Sequence, residues 1–351
     1  MVNTLLIVGA AKFSLLWPLY VLFGWITRNF YSFFGNYGVA IIILTIVIRG
    51  LLIPLNIKSQ KSMIKMQALS GKTAELQRRY GDDKQKYQEE LMKLQQENGI
   101  GGLSGCLLPF LQIIFIWPIW RIVSGPLYYI SQVSSENIDK MIALANKSEL
   151  ITSTRALGEN NHIELIEILN NNSEFLRKCI NNGYIKFQQI LDFKFLGLDL
   201  TKTPAWNPVT IVKDPKTYLP LLIFPVLVLV TQILSMKLTT WLKPGYKEQQ
   251  DAKERAKKNP ARAGQVQEDQ TEQMMKMMNF ILPIFMLITT FSLPAAMGLY
   301  WVVGGIMGLV TQVITYYMFT KPYELKKLEM AEKKANVFKK NNSDNGKGKK
   351  K

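Results

Sequence analysis

Long, uninterrupted apolar runs constrain this chain more than any other feature of its sequence. Val39–Ile57, Leu103–Val123 and Tyr218–Leu238 each reach the roughly 20 residues that an α-helix needs to cross the hydrocarbon of a bilayer. A fourth block, Asn279–Phe319, is long enough to cross twice, and Pro294 ends one helix before the next begins. The sequence therefore predicts an all-α membrane protein with a core of five transmembrane helices.

The apolar runs divide the chain into membrane and non-membrane segments. The predicted segments are residues 1–37 (an N-terminal interfacial or additional membrane helix), 38–57 (first span), 58–98 (cytoplasmic helical hairpin), 103–125 (second span), 126–217 (extracytoplasmic loop with a helical insert), 218–240 (third span), 241–276 (cytoplasmic loop), 277–294 (fourth span), 295–318 (fifth span) and 319–351 (basic cytoplasmic tail).

The distribution of charge predicts the orientation. The formal net charge is +17, and the segments 58–98, 242–278 and 320–351 hold 28 of the 43 Lys and Arg residues. Segment 125–217 is neutral, with 10 basic and 10 acidic residues. By the positive-inside rule the three basic segments face the cytoplasm and the neutral loop lies outside. This predicts a multi-pass membrane protein with a cytoplasmic C-terminus.

The N-terminal region admits three interpretations. Leu5–Ile26 is apolar but is interrupted by Lys12 and Pro18, and no basic stretch precedes it. It fits an interfacial helix over Phe13–Phe34, a sixth span or a cleaved signal. None of the three changes the predicted five-helix core.

Arg49 lies near the middle of the first predicted span. An arginine at that depth costs about 2.5–3.5 kcal/mol on insertion scales, and none of the five predicted spans contains a carboxylate to neutralise it. Thr45 and Asn56 share its helical face, and the other spans also carry polar residues, namely Gln112, Thr231, Gln232, Ser235, Thr289, Thr290, Thr311, Gln312 and Thr315. Such residues either join helices by hydrogen bonds or line a hydrated groove that attracts a negative group. The unpaired arginine favours the groove.

Five ordered motifs then carry a resemblance to a known family. They are the run Gly38–Leu55 around Arg49, Gly81–Gln85, Gly105–Gln112, Asp214–Pro220 and Leu293–Trp301. The chain resembles the YidC, mitochondrial oxidase-assembly and chloroplast albino-type insertase family over most of Leu15–Tyr317.

The resemblance implies a five-helix core around a hydrophilic groove that is open to the cytoplasm and to lipid. It makes Arg49 an electrostatic trap for acidic residues of incoming proteins. The expected substrate-contacting groove consists of Arg49, Thr45, Gln112, Tyr300 and Trp301, where Trp301 replaces a tyrosine that is frequent in the family.

The predicted function is membrane protein insertion and folding assistance, alone or with the Sec translocon. The sequence has no phosphate-binding glycine loop and no Cys/His cluster, so we expect no enzyme activity, no cofactor and no metal. Expected partners are nascent membrane proteins, the ribosome, the Sec translocon and membrane lipid, with no DNA. The alternatives are a small-solute anion transporter and a membrane assembly scaffold without insertion activity.

Overall fold

The chain folds mainly into α-helices. The computed structural model describes residues 16–81, 83–100, 107–148, 162–242 and 283–330, with isolated positions between and after these ranges. The helices in chain order are α1 Trp17–Phe34, α2 Tyr37–Ala68, α3 Ser70–Tyr80, α4 Lys84–Glu97, α5 Leu107–Ser124, α6 Pro126–Tyr129, α7 Ser135–Lys147, α8 His162–Asn171, α9 Ser173–Asn181, α10 Pro208–Lys213, α11 Pro215–Leu221, α12 Ile223–Trp241 and α13 Ala295–Thr315.

Among the described residues, three helical segments are long and apolar enough to cross a membrane. They are Tyr37–Ser59, Pro215–Trp241 and Ala295–Met330, which correspond to the first, third and fifth predicted spans. The prediction of a helical membrane protein is therefore confirmed. The second and fourth predicted spans, 103–125 and 277–294, include positions outside the described residues, so the count of five remains a prediction.

The helix that contains the first predicted span continues beyond the end of the apolar run. Helix α2 continues through Pro54 and past residue 57 as far as Ala68. The change from apolar to basic composition at Lys58 thus lies inside one helix. In a membrane helix such a change in composition marks the edge of the hydrocarbon. The helix can continue beyond this edge, because its backbone hydrogen bonds remain within the helix and also form in water.

The described residues form two compact units. The first lies within Met1–Leu52, Pro109–Gln232 and Ile281–Met307, and the second within Ile53–Leu108, Ile233–Phe280 and Gly308–Lys351. In the second unit, α3 and α4 pack side by side, and Asp83 caps α4 by accepting a hydrogen bond from the Lys86 N–H at 3.1 Å. These helices lie within the segment 58–98 that was predicted to form a hairpin.

The first unit has one continuous apolar core. Buried residues of α1, α2 and α5 pack with those of the loop helices α7, α8 and α9 and with those of α13. Examples are Phe23, Ile41, Ile122, Leu165 and Met297. The predicted helical insert therefore shares its core with the ends of the spans. Since burial of apolar surface is the main stabilising term, the insert and these helix ends stabilise each other.

Helix α1 spans 18 residues and ends at Gly35, whose φ of 64° allows the left-handed C-cap. Tyr20 and Phe23 face the core, whereas Trp17 and Trp25 are exposed. Residues 1–15 lie outside the described part, so the interfacial helix, the sixth span and the cleaved signal all stay open for this region.

One short β-hairpin departs from the all-α prediction. Lys194–Phe195 pairs antiparallel with Leu198–Asp199. The turn residues Leu196 and Gly197 both have positive φ, 50° and 81°, which matches the twist of two-residue hairpins. Strands of two residues carry too few positions to show an alternating pattern, so this element left no sequence signal.

Candidate functional site

Arg49 is the centre of the candidate site. It lies on α2, 12 residues after the start of the candidate span Tyr37–Ser59 and 10 before its end, and its side chain is half-buried. The ion pairs formed by the described residues do not include Arg49. Its charge is therefore not neutralised by any carboxylate in this part of the chain.

The guanidinium of Arg49 lies close to α13 at Gly304, a residue without a side chain. A Cβ added at Gly304 would lie 2.8 Å from Nη2 and 3.3 Å from Nε of Arg49. Only glycine leaves room for this approach. The hydroxyl of Tyr300, one helical turn earlier on the same face, is within hydrogen-bonding reach of the guanidinium and can accept from it. Gly304 and Tyr300 therefore lie beside the charge of Arg49.

Thr45 precedes Arg49 by one turn of α2 and has no exposed surface. Its hydroxyl donates a hydrogen bond of 2.7 Å to the carbonyl of Ile41. Such a bond to the preceding turn satisfies a hydroxyl inside an apolar helix. As placed, Thr45 forms part of the packing beside Arg49.

Tyr300 and Trp301 are both buried, with 3% of each residue exposed. Their ring centroids are 5.1 Å apart at an interplanar angle of 56°. The indole N–H of Trp301, next in the chain to Tyr300, is buried and has no hydrogen-bond acceptor among the described atoms. The side chain of the fifth predicted groove residue, Gln112, lies outside the described residues, although its backbone belongs to α5.

Most of the other polar residues in this unit are engaged with their own helices. Thr231 donates to the carbonyl of Val228 at 2.9 Å, and Thr290 donates to that of Met286 at 2.7 Å. Gln232 makes a contact between helices, from its Nε2 to the sulfur of Met286 at 2.9 Å. In the second unit, Gln312 donates to the Ser235 hydroxyl at 2.7 Å. The structure therefore brings together Arg49 and Tyr300, whereas the threonine hydroxyls donate hydrogen bonds to backbone carbonyls of their own helices.

A diglycine on α13 was overlooked in the sequence. Gly304 faces Arg49, and a Cβ at Gly305 would lie 2.7 Å from Oγ1 of Thr231 on α12. The two glycines thus allow α13 to approach two other helices closely. A pair of glycines inside an apolar helix is the signal that could have revealed this packing.

Comparison with known proteins gives a family match over most of the chain. A family described as 60Kd inner membrane protein matches residues 29–322. A membrane protein insertase YidC from Shewanella sp. (strain W3-18-1) is 42% identical over 114 residues, and one from Shewanella piezotolerans (strain WP3 / JCM 13877) is 39% identical over 114 residues. In both cases the match covers 32% of this chain and 21% of the relative, so it spans about a fifth of the relatives' length.

Proposed function

Because the chain belongs to the 60Kd inner membrane protein family, that of the YidC-type insertases, we propose that it inserts integral membrane proteins into the bilayer and assists their folding. Its substrates are nascent membrane proteins, and it works alone or with the ribosome and the Sec translocon. The proposed location is the bacterial plasma membrane, with the C-terminus in the cytoplasm. Insertion of this kind makes and breaks no covalent bond, so no enzyme activity and no cofactor are involved.

The observation that carries this proposal is the arginine in the middle of a candidate span. Arg49 has no carboxylate partner among the described residues, and its guanidinium lies beside Gly304 and within reach of the Tyr300 hydroxyl. A charge at this depth costs about 2.5–3.5 kcal/mol unless water or a counter-ion accompanies it. An acidic residue of an incoming protein would serve as that counter-ion.

The proposed mechanism has an electrostatic step and a partitioning step. A hydrated groove open to the cytoplasm admits the polar tail of a client, and Arg49 offsets part of the cost of dehydrating a carboxylate in that tail. The apolar segment of the client then moves into lipid, at a few tenths of a kcal/mol for each Leu or Ile. The substrate itself therefore supplies the driving force.

The remaining groove residues have supporting roles in this proposal. Tyr300 orients the guanidinium, and Trp301 adds apolar surface and a hydrogen-bond donor. Thr45, which has no exposed surface, supports the packing beside Arg49, and Gln112 contributes an amide from α5.

Liposomes that contain the purified protein test this proposal. The client is a single-span protein with an acidic tail that must cross the bilayer, and protection of the tail from added protease reports insertion. Wild type and Arg49→Lys should insert the client, and Arg49→Ala should not. The control Lys237→Ala, an exposed cation of α12, should behave as wild type.

A second client with a neutral tail separates the electrostatic step from insertion itself. It should enter equally well with wild type and Arg49→Ala. Equal insertion of the acidic client by all variants would leave the insertase function standing and remove the role of Arg49. If wild type inserts neither client, the protein is a transporter or a scaffold and the proposal is wrong.

A further inference from the structure

Four large apolar side chains are exposed within residues 196–212 of the first unit. Leu196 is 85% exposed, Trp206 76%, Val209 59% and Val212 78%. We call these four residues the apolar rim. Leu196 lies in the turn of the β-hairpin, and the other three lie between the hairpin and the span that begins at Pro215. Large exposed apolar side chains that cluster in one short segment favour a contact with a partner or with lipid.

The hairpin end of the rim is attached to the start of α2. Asn36 donates from Nδ2 to the carbonyl of Lys194 at 2.8 Å, and the rings of Tyr37 and Phe193 are 4.2 Å apart. The ring of Phe195 lies so close to Gly38 that an added Cβ would be 2.5 Å from its Cγ. Leu196 follows Phe195 directly and therefore lies at the level where the span Tyr37–Ser59 begins.

The same loop is attached to the starts of the other two candidate spans. The backbone N–H of Ala295 donates to the carbonyl of Lys202 at 2.8 Å, at the first residue of α13. Helix α10, which carries Val209 and Val212, is separated from Pro215 by Asp214 alone, and the Asp214 carboxylate caps α11. All three spans thus begin beside this loop and on one side of the membrane.

We propose that the apolar rim is an interfacial anchor whose partner is the phospholipid of the leaflet at which the three spans begin. Its side chains lie at the boundary between the headgroups and the acyl chains. Exposed apolar residues continue along the chain into Leu219, Ile223 and Val226 of the third candidate span, which is long and apolar enough to cross lipid. The anchor stands independently of the insertase function.

Two features of the flanking chemistry fit lipid better than a protein partner. Trp206 combines a large apolar ring with an N–H donor, which is why tryptophan collects at membrane interfaces. Lys213 and Lys216, both exposed on either side of Asp214, can reach lipid phosphates while their alkyl stems lie on apolar surface.

Nitroxide labels at single cysteines measure the depth of the rim directly. The variants Leu196→Cys, Val209→Cys and Val212→Cys are made in a Cys106→Ser, Cys179→Ala background and reconstituted in vesicles of phosphatidylcholine and phosphatidylglycerol. Collision rates with oxygen, which concentrates in the acyl region, are compared with those of a water-soluble nickel chelate. Val226→Cys provides the membrane reference, and Glu174→Cys, on the exposed face of α9, provides the aqueous reference.

The labels on the rim should collide more often with oxygen than with the nickel chelate. Their depth should be about 5–10 Å from the headgroup boundary, shallower than the label at residue 226. Accessibility equal to that at residue 174 would overturn the proposal by placing the rim in water. Low accessibility to both reagents would also overturn it, because the rim would then be covered by protein, such as a second copy of the chain.

Discussion

Replacing Gly304 with alanine tests the geometry of the site most directly. The added methyl would lie 2.8 Å from Nη2 of Arg49, whereas favourable contacts of this kind occur at about 3.5–4.0 Å. The guanidinium must therefore withdraw by roughly 0.7–1.2 Å, away from α13 and from the Tyr300 hydroxyl. Only the mobile end of the side chain needs to move, so the helix itself should remain intact.

Two opposing terms set the effect of Gly304→Ala on stability. Displacing the guanidinium weakens its interaction with the Tyr300 hydroxyl, and a buried polar group left unsatisfied costs about 1–3 kcal/mol. Removing a glycine from a helix interior favours folding by about 0.5–1 kcal/mol. In an Arg49→Ala background the first term disappears because the guanidinium is gone. The double-mutant cycle should then give a coupling energy of about 1–3 kcal/mol between positions 49 and 304.

The assay is SDS-induced unfolding in mixed micelles of wild type, both single variants and the double variant. Gly308→Ala is the matched control on α13, since an added Cβ there meets none of the described atoms within 4 Å. It should be neutral or slightly stabilising in both backgrounds. If Gly304→Ala costs the same with and without Arg49, the methyl meets something else and the assigned contact is wrong.

Two further predictions concern the loop that packs on the span starts. Gly38→Ala should destabilise the protein by about 1–3 kcal/mol in SDS titration, because its methyl would overlap the ring of Phe195. The control Gly50→Ala lies on the same helix, where an added Cβ meets none of the described atoms within 4 Å, and it should not destabilise the protein. Equal effects of the two substitutions would contradict this packing. Burial raises the pKa of Cys179 from 9.0 to about 11, so in a Cys106→Ser variant maleimide should react at neutral pH only after unfolding. As the pH rises, the thiol loses its proton in the unfolded state first, so the free energy of unfolding should fall between pH 9 and 11. This contribution to the fall should be absent in Cys179→Ala.

The positions of the spans and of the central charge could be predicted because both are signals along a single segment. An apolar run of membrane length defines a helix whatever surrounds it, and Arg49 stands out within its run without reference to any other helix. The resemblance to the insertase family rested on ordered motifs, and the match over residues 29–322 confirmed it.

The partners of the central charge could not be predicted, because they depend on how two helices lie side by side. Nothing in the sequence near Arg49 points to Gly304, which is remote in the chain and carries no chemical group. The threonines show the same limit, since a hydroxyl that could line a groove can equally bond to the preceding turn, as that of Thr45 does. A choice between these uses requires the packing of the neighbouring helices.

The register between α2 and α13 follows from the loop that joins their starts. The N–H of Tyr37 donates to the carbonyl of Asp192, and that of Ala295 donates to the carbonyl of Lys202, so one segment of 11 residues holds both helix starts. At about 1.5 Å per residue, Arg49 lies roughly 18 Å below the first start and Gly304 roughly 13.5 Å below the second. Moving either start by one residue along its helix would shift Arg49 relative to Gly304 by about 1.5 Å. The loop that packs on the two helix starts therefore determines whether the charge of Arg49 meets Gly304 and Tyr300. The β-hairpin, which the sequence did not predict, thus affects the position of the residue that was easiest to identify from the sequence.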